Sequence, residues 1–434
     1  MEQVKALLQF IDESPTAYHS VENASKMLEK EGFKYIPESK KYQLKKGGKY
    51  YTTRNGTSLI AFKIGENNTS DYSFNITASH GDSPTFKVKP NNNIDIGKYQ
   101  KVSVEAYGGM LCSTWFDRPL SIAGRVSVSS EKGIDNRLVN IDRDLLVIPN
   151  MAIHMNRMAN EGFKYNLAID MQPMMYSQEK TSLTKILAKE LDVKEEDIVG
   201  QDLFLYNRNK SIIVGENNEI FLAPRIDDLE CGYTTLVGFI ASNNNQSISV
   251  YCLFDNEEVG SHTRQGAAST FLSDTLERIN SSLGYSREDL LQALSSSFLV
   301  SSDNAHAVHP NHPELSDALN KVYMNEGIVI KHNAAQSYTT DGVSSAVFKK
   351  ICQKVNVPVQ HFTNRADLRG GGTLGNISTS QVSIMSVDIG LAQLAMHSAY
   401  ELAGVKDVNY MIEGIKEFYN TVISLDDNGN IILK

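Results

Sequence analysis

The sequence predicts an α/β fold in which helices flank a mixed sheet, and three features of the chain predict it. Apolar runs of strand character alternate with stretches of helical period through the C-terminal half. Several strand-like runs stop abruptly at carboxylates or histidines, as strands of an open α/β sheet do when they deliver polar groups at their carboxyl ends. Between about residues 91 and 221 the alternation gives way to short strand signals, which reads as an inserted, mainly β domain. Residues 1–90 and 222–434 then form one discontinuous main domain. The alternative, a decorated edge of one large sheet, is disfavoured because the candidate chemical groups lie mostly on either side of the insertion.

In chain order, Val4, Leu7, Leu8 and Ile11 form one apolar stripe and Val21, Ala24, Met27 and Leu28 another, which predicts two short amphipathic helices punctuated by Ser14-Pro15 and Gly32. Strand signals follow at 57–64 and 72–77, the second running into His80-Gly81-Asp82-Ser83-Pro84. Asn91-Asn92-Asn93 opens the insertion, with strand signals at 102–104, 122–128 and 145–148, a loop at 171–181 and a helix at 183–191. The main domain resumes with a helix at 232–240, a strand at 247–254, a helix at 265–276 and a strand at 297–301 ending at Asp303. A strand at 328–330, a helix at 344–353, a strand at 382–387 and a helix at 392–402 complete the alternation.

Composition narrows the class. The 434 residues (48.2 kDa) exceed one simple core, and 41% apolar with 21% charged residues suits a soluble globular enzyme. A net charge of -9 and a pI near 5.6, with no basic block, argue against nucleic-acid binding. Cys112, Cys231, Cys252 and Cys352 are scattered without metal spacing, as free thiols in a reducing compartment are. With no basic leader and no run of eighteen apolar residues, the expected setting is the cytoplasm and not a membrane.

The chain is organised around Tyr251-Cys252-Leu253-Phe254-Asp255-Asn256-Glu257-Glu258-Val259-Gly260-Ser261, where an apolar run ends in adjacent glutamates and a glycine that permits a sharp turn. One carboxylate could hold a metal while the other takes a proton from water, although the stretch alone reads first as a solvated acidic turn after a strand. His80, Asp82, Asp227, Glu257, Glu258 and Asp303 also end strands or begin helices, and His397 joins them from the last predicted helix. Imidazoles and carboxylates without thiolate suit Zn, Mn or Co, in number enough for two ions sharing a carboxylate. Asp82 is placed to hold the His80 imidazole in a metal-binding tautomer. Each residue keeps a plainer alternative: Asp227 and Asp228 as helix caps, Asp303 as a turn, His397 as a hydrogen-bonded core histidine. His306, His309 and His312 recur every third residue, but Pro310 and Pro313 break any helix that would align them. The run Arg369-Gly370-Gly371-Gly372-Thr373-Leu374-Gly375 matches neither phosphate-loop pattern and reads as a tight loop beside the site.

Five motifs together resemble the aspartyl aminopeptidase (M18) family of metallo-aminopeptidases, nearly end to end: Ser79-His80-Gly81-Asp82-Ser83-Pro84, Pro224-Arg225-Ile226-Asp227-Asp228-Leu229, Asp255-Asn256-Glu257-Glu258-Val259-Gly260-Ser261, Asp303-Asn304-Ala305-His306-Ala307-Val308-His309-Pro310-Asn311 and Met396-His397-Ser398. The resemblance implies a di-metal exopeptidase domain with an inserted dimerisation domain, acting on peptides with a free N-terminus. It implies two divalent ions, zinc first among them, one held by His80 and Asp303, the other by Glu258 and His397, with Asp227 bridging and Glu257 as general base. It further implies that His154, in Val147-Ile148-Pro149-Asn150-Met151-Ala152-Ile153-His154, reaches a neighbouring subunit's site, and that subunits assemble as tetrahedral dodecamers built from dimers. Lys331 and Tyr338 match the pocket for an acidic first residue. Two departures stand out: the family's Asn-Gln-Arg-Tyr segment reads Ala335-Gln336-Ser337-Tyr338, and the usual asparagine after the bridging aspartate is Asp228. The alternatives are a related di-metal deacylase or carboxypeptidase and an inactive scaffold.

Overall fold

Strand Ile248–Phe254 is buried at every residue because helices cover both faces of the sheet it belongs to. Its side chains alternate between two cores, Tyr251 and Leu253 into one, Val250, Cys252 and Phe254 into the other. The structure is a computed structural model and describes residues 1–177 and 181–434; residues 178–180 of the loop expected at 171–181 lie outside the described residues.

The nine-stranded sheet runs in the order Lys34–Tyr35, Lys49–Arg54, Ser58–Ile64, Ile248–Phe254, Phe74–His80, Phe298–Ser302, Met385–Gly390, Ile328–His332, Val359–Thr363. The four strands from Ile248–Phe254 to Met385–Gly390 are parallel, and antiparallel neighbours flank them, so the sheet is mixed as the sequence implies. In the parallel block Phe254 pairs with His80 and Ser301 with Ala78, which brings the carboxyl ends of three strands to one edge. One face packs on helices Ala17–Lys30, Ile226–Ala241, Gly342–Lys354 and Val405–Asn420, the other on Phe271–Ser282, Arg287–Ser295 and Leu374–Gln381.

Immediately after Asp82 the chain leaves this domain. Seven strands between Thr85–Ile96 and Ile198–Asn207 form a second sheet, and Ile198–Asn207 pairs with both Thr85–Ile96 and Leu120–Ser130, which closes the ladder into a barrel. Closure leaves few unpaired edges and encloses a separate core around Trp115, Ile122, Val126 and Leu203. A small five-stranded sheet, in the order Ile212–Val214, Ile220–Ala223, Glu401–Gly404, Ala392–Leu394, Ala305–His306, lies where the chain returns.

Two expected helices differ. Residues 392–402 are not a helix but the antiparallel strands Ala392–Leu394 and Glu401–Gly404 joined by a turn in which Ala395 and His397 have φ of 56° and 66°. A short apolar run carries no period that separates strand from helix, and pairing within the small sheet decided it. The helix expected at 265–276 starts at Phe271, because residues before it fold back on the Ser261 carbonyl, which accepts from Ala268 N–H.

Helices Ile226–Ala241 and Val405–Asn420 touch at Gly238, where an added Cβ would stand 2.8 Å from Ile415 Cγ2 and 3.0 Å from the Ile412 carbonyl. Gly238→Leu forces these helices apart and is expected to cost about 1–3 kcal/mol, read as a lower urea midpoint; an unchanged midpoint would show the contact is slack.

Candidate metal centre

Three parallel strands deliver polar groups to one edge: His80 ends Phe74–His80, Asp255 to Glu258 follow Ile248–Phe254, and Asp303 follows Phe298–Ser302. Asp227 arrives from the first turn of Ile226–Ala241, where Asp227 and Asp228 are non-helical and the regular helix begins after them. Neither therefore acts as a simple cap. His397 comes from the turn in the five-stranded sheet rather than from a helix.

Asp227 is the meeting point. Its Oδ1 lies 3.4 Å from His80 Nε2 and its Oδ2 lies 3.4 Å from His397 Nε2. His397 Nε2 is 3.5 Å from Glu258 Oε2, and Glu257 Oε2 is 4.0 Å from His80 Nε2. Both imidazoles turn Nδ1 away to backbone carbonyls, His80 to Asp82 O at 3.0 Å and His397 to Gly109 O at 2.6 Å, which leaves Nε2 free as a ligand atom. The Asp82 carbonyl thus makes the closest contact to the ring, with the carboxylate at 3.4 Å. The Asp82 carboxylate chiefly accepts from Glu257 N and Glu258 N, each at 3.2 Å, and from Tyr107 Oη at 2.7 Å.

The electrostatics call for a cation. Burial drives the carboxyls of Glu258 and Asp228 well above their usual range and that of Glu257 to about 8, and raises Asp303 against the pull of Lys331. Burial also opposes the charge of Asp227, yet hydrogen bonds from His397 and His80 hold its carboxyl low. Glu258 Oε1 and Asp228 Oδ1 are buried without a hydrogen-bond partner. Carboxylates this crowded are costly to bury unless a positive charge joins them. The donor atoms suit one: His80, Asp227, Asp228 and Asp303 converge within 4.8 Å, as do His80, Glu257 and Glu258, and Asp227, Glu258 and His397. All nitrogen and oxygen donors, they fit zinc. The cavity over them is about 190 Å³, while a larger one of about 510 Å³ lies between the barrel and Asp82 and Asp227.

A family model described as aminopeptidase I zinc metalloprotease (M18) matches residues 10–419. The chain belongs to the M18 family of aminopeptidases. It is a metallo-aminopeptidase hydrolase. It is 47% identical to the probable M18 family aminopeptidase 2 of Clostridium novyi, covering 95% of this chain and 98% of that one, and 36% identical to the aspartyl aminopeptidase of Dictyostelium discoideum, covering 98% and 97%. Among solved structures it is similar to the complex of Ape4 and Nbr1 (TM-score 0.93, 36% identity, 96% of this chain and 85% of that one). It is also similar to the mApe1 dodecamer of S. cerevesiae (TM-score 0.83, 29% identity, 96% and 95%).

The remaining predicted residues of this M18 chain fall in three places. Lys331 and Tyr338 line the ligand cavity, with Lys331 Nζ 3.6 Å from Asp303 Oδ1 and 5.5 Å over the Tyr338 ring. Gly371, Gly372 and Thr373 of the glycine loop line it too. His154 lies apart, exposed on irregular chain beyond Leu146–Val147 beside the 78%-exposed Met155.

Sequence reading missed Glu401, Tyr107 and the place of Asp228 among the converging donors. Glu401, buried on Glu401–Gly404, accepts from His397 N at 2.7 Å and Asp227 N at 3.1 Å through separate oxygens. A lone carboxylate followed by Leu402-Ala403 was the available signal, since such a group is rarely buried unless paired. Glu401→Gln leaves only one accepting oxygen for two N–H groups. The expected outcome is about 10- to 100-fold weaker retention of metal against a chelator with unchanged circular dichroism, and unchanged retention would show that Glu401 positions neither ligand.

Proposed function

We propose that the centre binds two divalent ions, zinc foremost with Mn or Co able to replace it, and removes the first residue of peptides that carry a free N-terminus. The observation that carries this reading is the Asp227 carboxylate, one oxygen facing His80 and the other His397. His80 and Asp303 hold the first ion, Glu258 and His397 the second, and Asp227 bridges them. Bound divalent ions supply polarisation of the scissile carbonyl and acidification of the attacking water.

The chain supplies the rest. Glu257 takes the proton from the attacking water and returns it to the departing amine, and Asp82 holds it in place by accepting its N–H. The carboxylate-rich cavity receives the cationic free amine of the substrate, which an N-blocked peptide lacks. Lys331 supports an acidic first residue, Asp or Glu, as does the name of the Dictyostelium relative, but Ser337 stands where the family pattern has arginine. The preference is therefore proposed as partial.

The barrel is proposed as the dimerisation domain; the insertion expected over residues 91–221, between main-domain segments 1–90 and 222–434, is taken by barrel strands that run from Thr85 to Asn207. In that assembly His154 enters the neighbouring subunit's site, where it binds the substrate carbonyl. Met151, Ile153 and Met155, each at least 45% exposed, support an interface around it. A dodecamer of such dimers, tetrahedral in symmetry, is proposed on the likeness to the mApe1 dodecamer. Cys112, Cys231, Cys252 and Cys352 are all free, which supports a reducing, cytoplasmic setting.

Glu257→Gln is expected to keep both metals by elemental analysis and lose about 10²- to 10⁴-fold in kcat; near-normal turnover would remove it as the base. His154→Phe is expected to bind metal normally and be inactive alone. Mixing it with Glu257→Gln subunits should then recover activity, and no recovery would place His154 outside its neighbour's site.

A further inference from the structure

The cavity over the ligands does not end at them. It shares His306, Phe362, Gly371 and Met396 with a groove of about 350 Å³. Among the described residues that line this groove there is no Asp or Glu, although the chain as a whole carries a net charge of -9. Its walls carry Arg365, Arg369, His309 and His312 instead. The two guanidinium groups are not equivalent, and the His312 ring lies 3.2 Å from Glu314 Oε1. Arg365 is engaged, its Nε donating to the Asp367 carboxylate at 2.6 Å and its Nη1 to the Glu314 carbonyl. Arg369 is exposed on the wall of the groove, with no carboxylate partner among the described residues. Asn364 beside it contributes a buried amide nitrogen that faces the Tyr338 phenol without a well-formed hydrogen bond to it. A buried donor only weakly engaged and a guanidinium with no carboxylate partner among the described residues, in a cleft open to the active centre, suit one kind of ligand: an anion with acceptor oxygens.

Position says what carries that anion. The 190 Å³ ligand cavity is the size of one amino-acid residue, and that residue must set its amine and carbonyl against Glu257 and the converging donors. Of the two cavities that adjoin the centre, the one that shares its wall with the ligand cavity opens a path for the following part of the peptide past His306, Phe362 and Met396. We propose that the groove is a subsite for a carboxylate on the departing portion of the peptide, held by Arg369 and Asn364. The inference rests on the aminopeptidase reading above and adds a second determinant of substrate choice, independent of the first residue. The carboxylate comes either from an acidic side chain downstream or from the C-terminus of a short peptide, and both present the same pair of oxygens.

Free-amine tripeptides with one common first residue separate these sources. One arm compares Glu with Gln at the third position of C-terminal amides; the other compares the free acid with the amide of a neutral peptide. The wild type is expected to show a KM about three- to tenfold lower for the charged member of at least one pair, and the responding arm names the source. In Arg369→Gln the ratio should collapse toward one, in Arg369→Lys most of it should persist, and added salt should shrink it. Equal KM values within both pairs for the wild type, or a ratio that survives in Arg369→Gln, would overturn the subsite. Failure of the aminopeptidase reading shows differently, as no hydrolysis of the neutral amide peptide at all.

Discussion

The structure depends on holding one carboxylate, Asp227, between two imidazoles in a cavity that already contains Glu257, Glu258 and Asp303. Such crowding is unstable in isolation, since each carboxylate loses hydration and repels the others. The protein offsets this with directed donors rather than with free cations. Asp82 takes the N–H groups of both glutamates, Asp228 takes the N–H of His80, and Glu401 takes those of His397 and Asp227. Among the described residues Lys331 is the one ammonium that lines the cavity, and it lies 3.6 Å from Asp303 Oδ1. What remains is a set of oxygen and nitrogen atoms preorganised for a positive ion, the condition a zinc aminopeptidase needs.

That arrangement ties the barrel to the chemistry. The chain departs for the barrel directly after Asp82 and Ser83, and returns just before Asp227. Two barrel-side contacts then reach back into the centre: Tyr107 donates to Asp82, and the Gly109 carbonyl fixes the tautomer of His397. The Leu111 N–H donates to the His397 carbonyl and the Ala399 N–H to Thr114 Oγ1, so the turn that carries His397 is laced to the segment that follows Tyr107. A displacement of the barrel would be felt first at His397.

Much of this was legible in particular residues. Runs such as 247–254 announce a sheet buried on both faces, and the abrupt switch to Glu257-Glu258 marks its carboxyl edge. Five motifs named the family, and the chain's M18 membership agrees. Less was legible where short apolar segments had to choose a partner. Leu391 to Leu402 carries no usable period, and the strand pairing that places His397 comes from residues far apart in sequence. Glu401 was invisible for the same reason, because its role lies in two backbone N–H groups contributed by other elements.

The sequence by itself determined the class of chemistry and the alternation of elements, because residue type and local periodicity act over a few neighbours and survive in one dimension. Tertiary structure alone decided which carboxylates converge, which ring nitrogen each histidine presents, and that a cleft with no Asp or Glu among its described lining residues continues from the centre past Arg369. These are matters of convergence: a carboxylate becomes a bridge, a clamp or a proton carrier through what the fold brings to within hydrogen-bonding distance, and sequence spacing does not encode that distance.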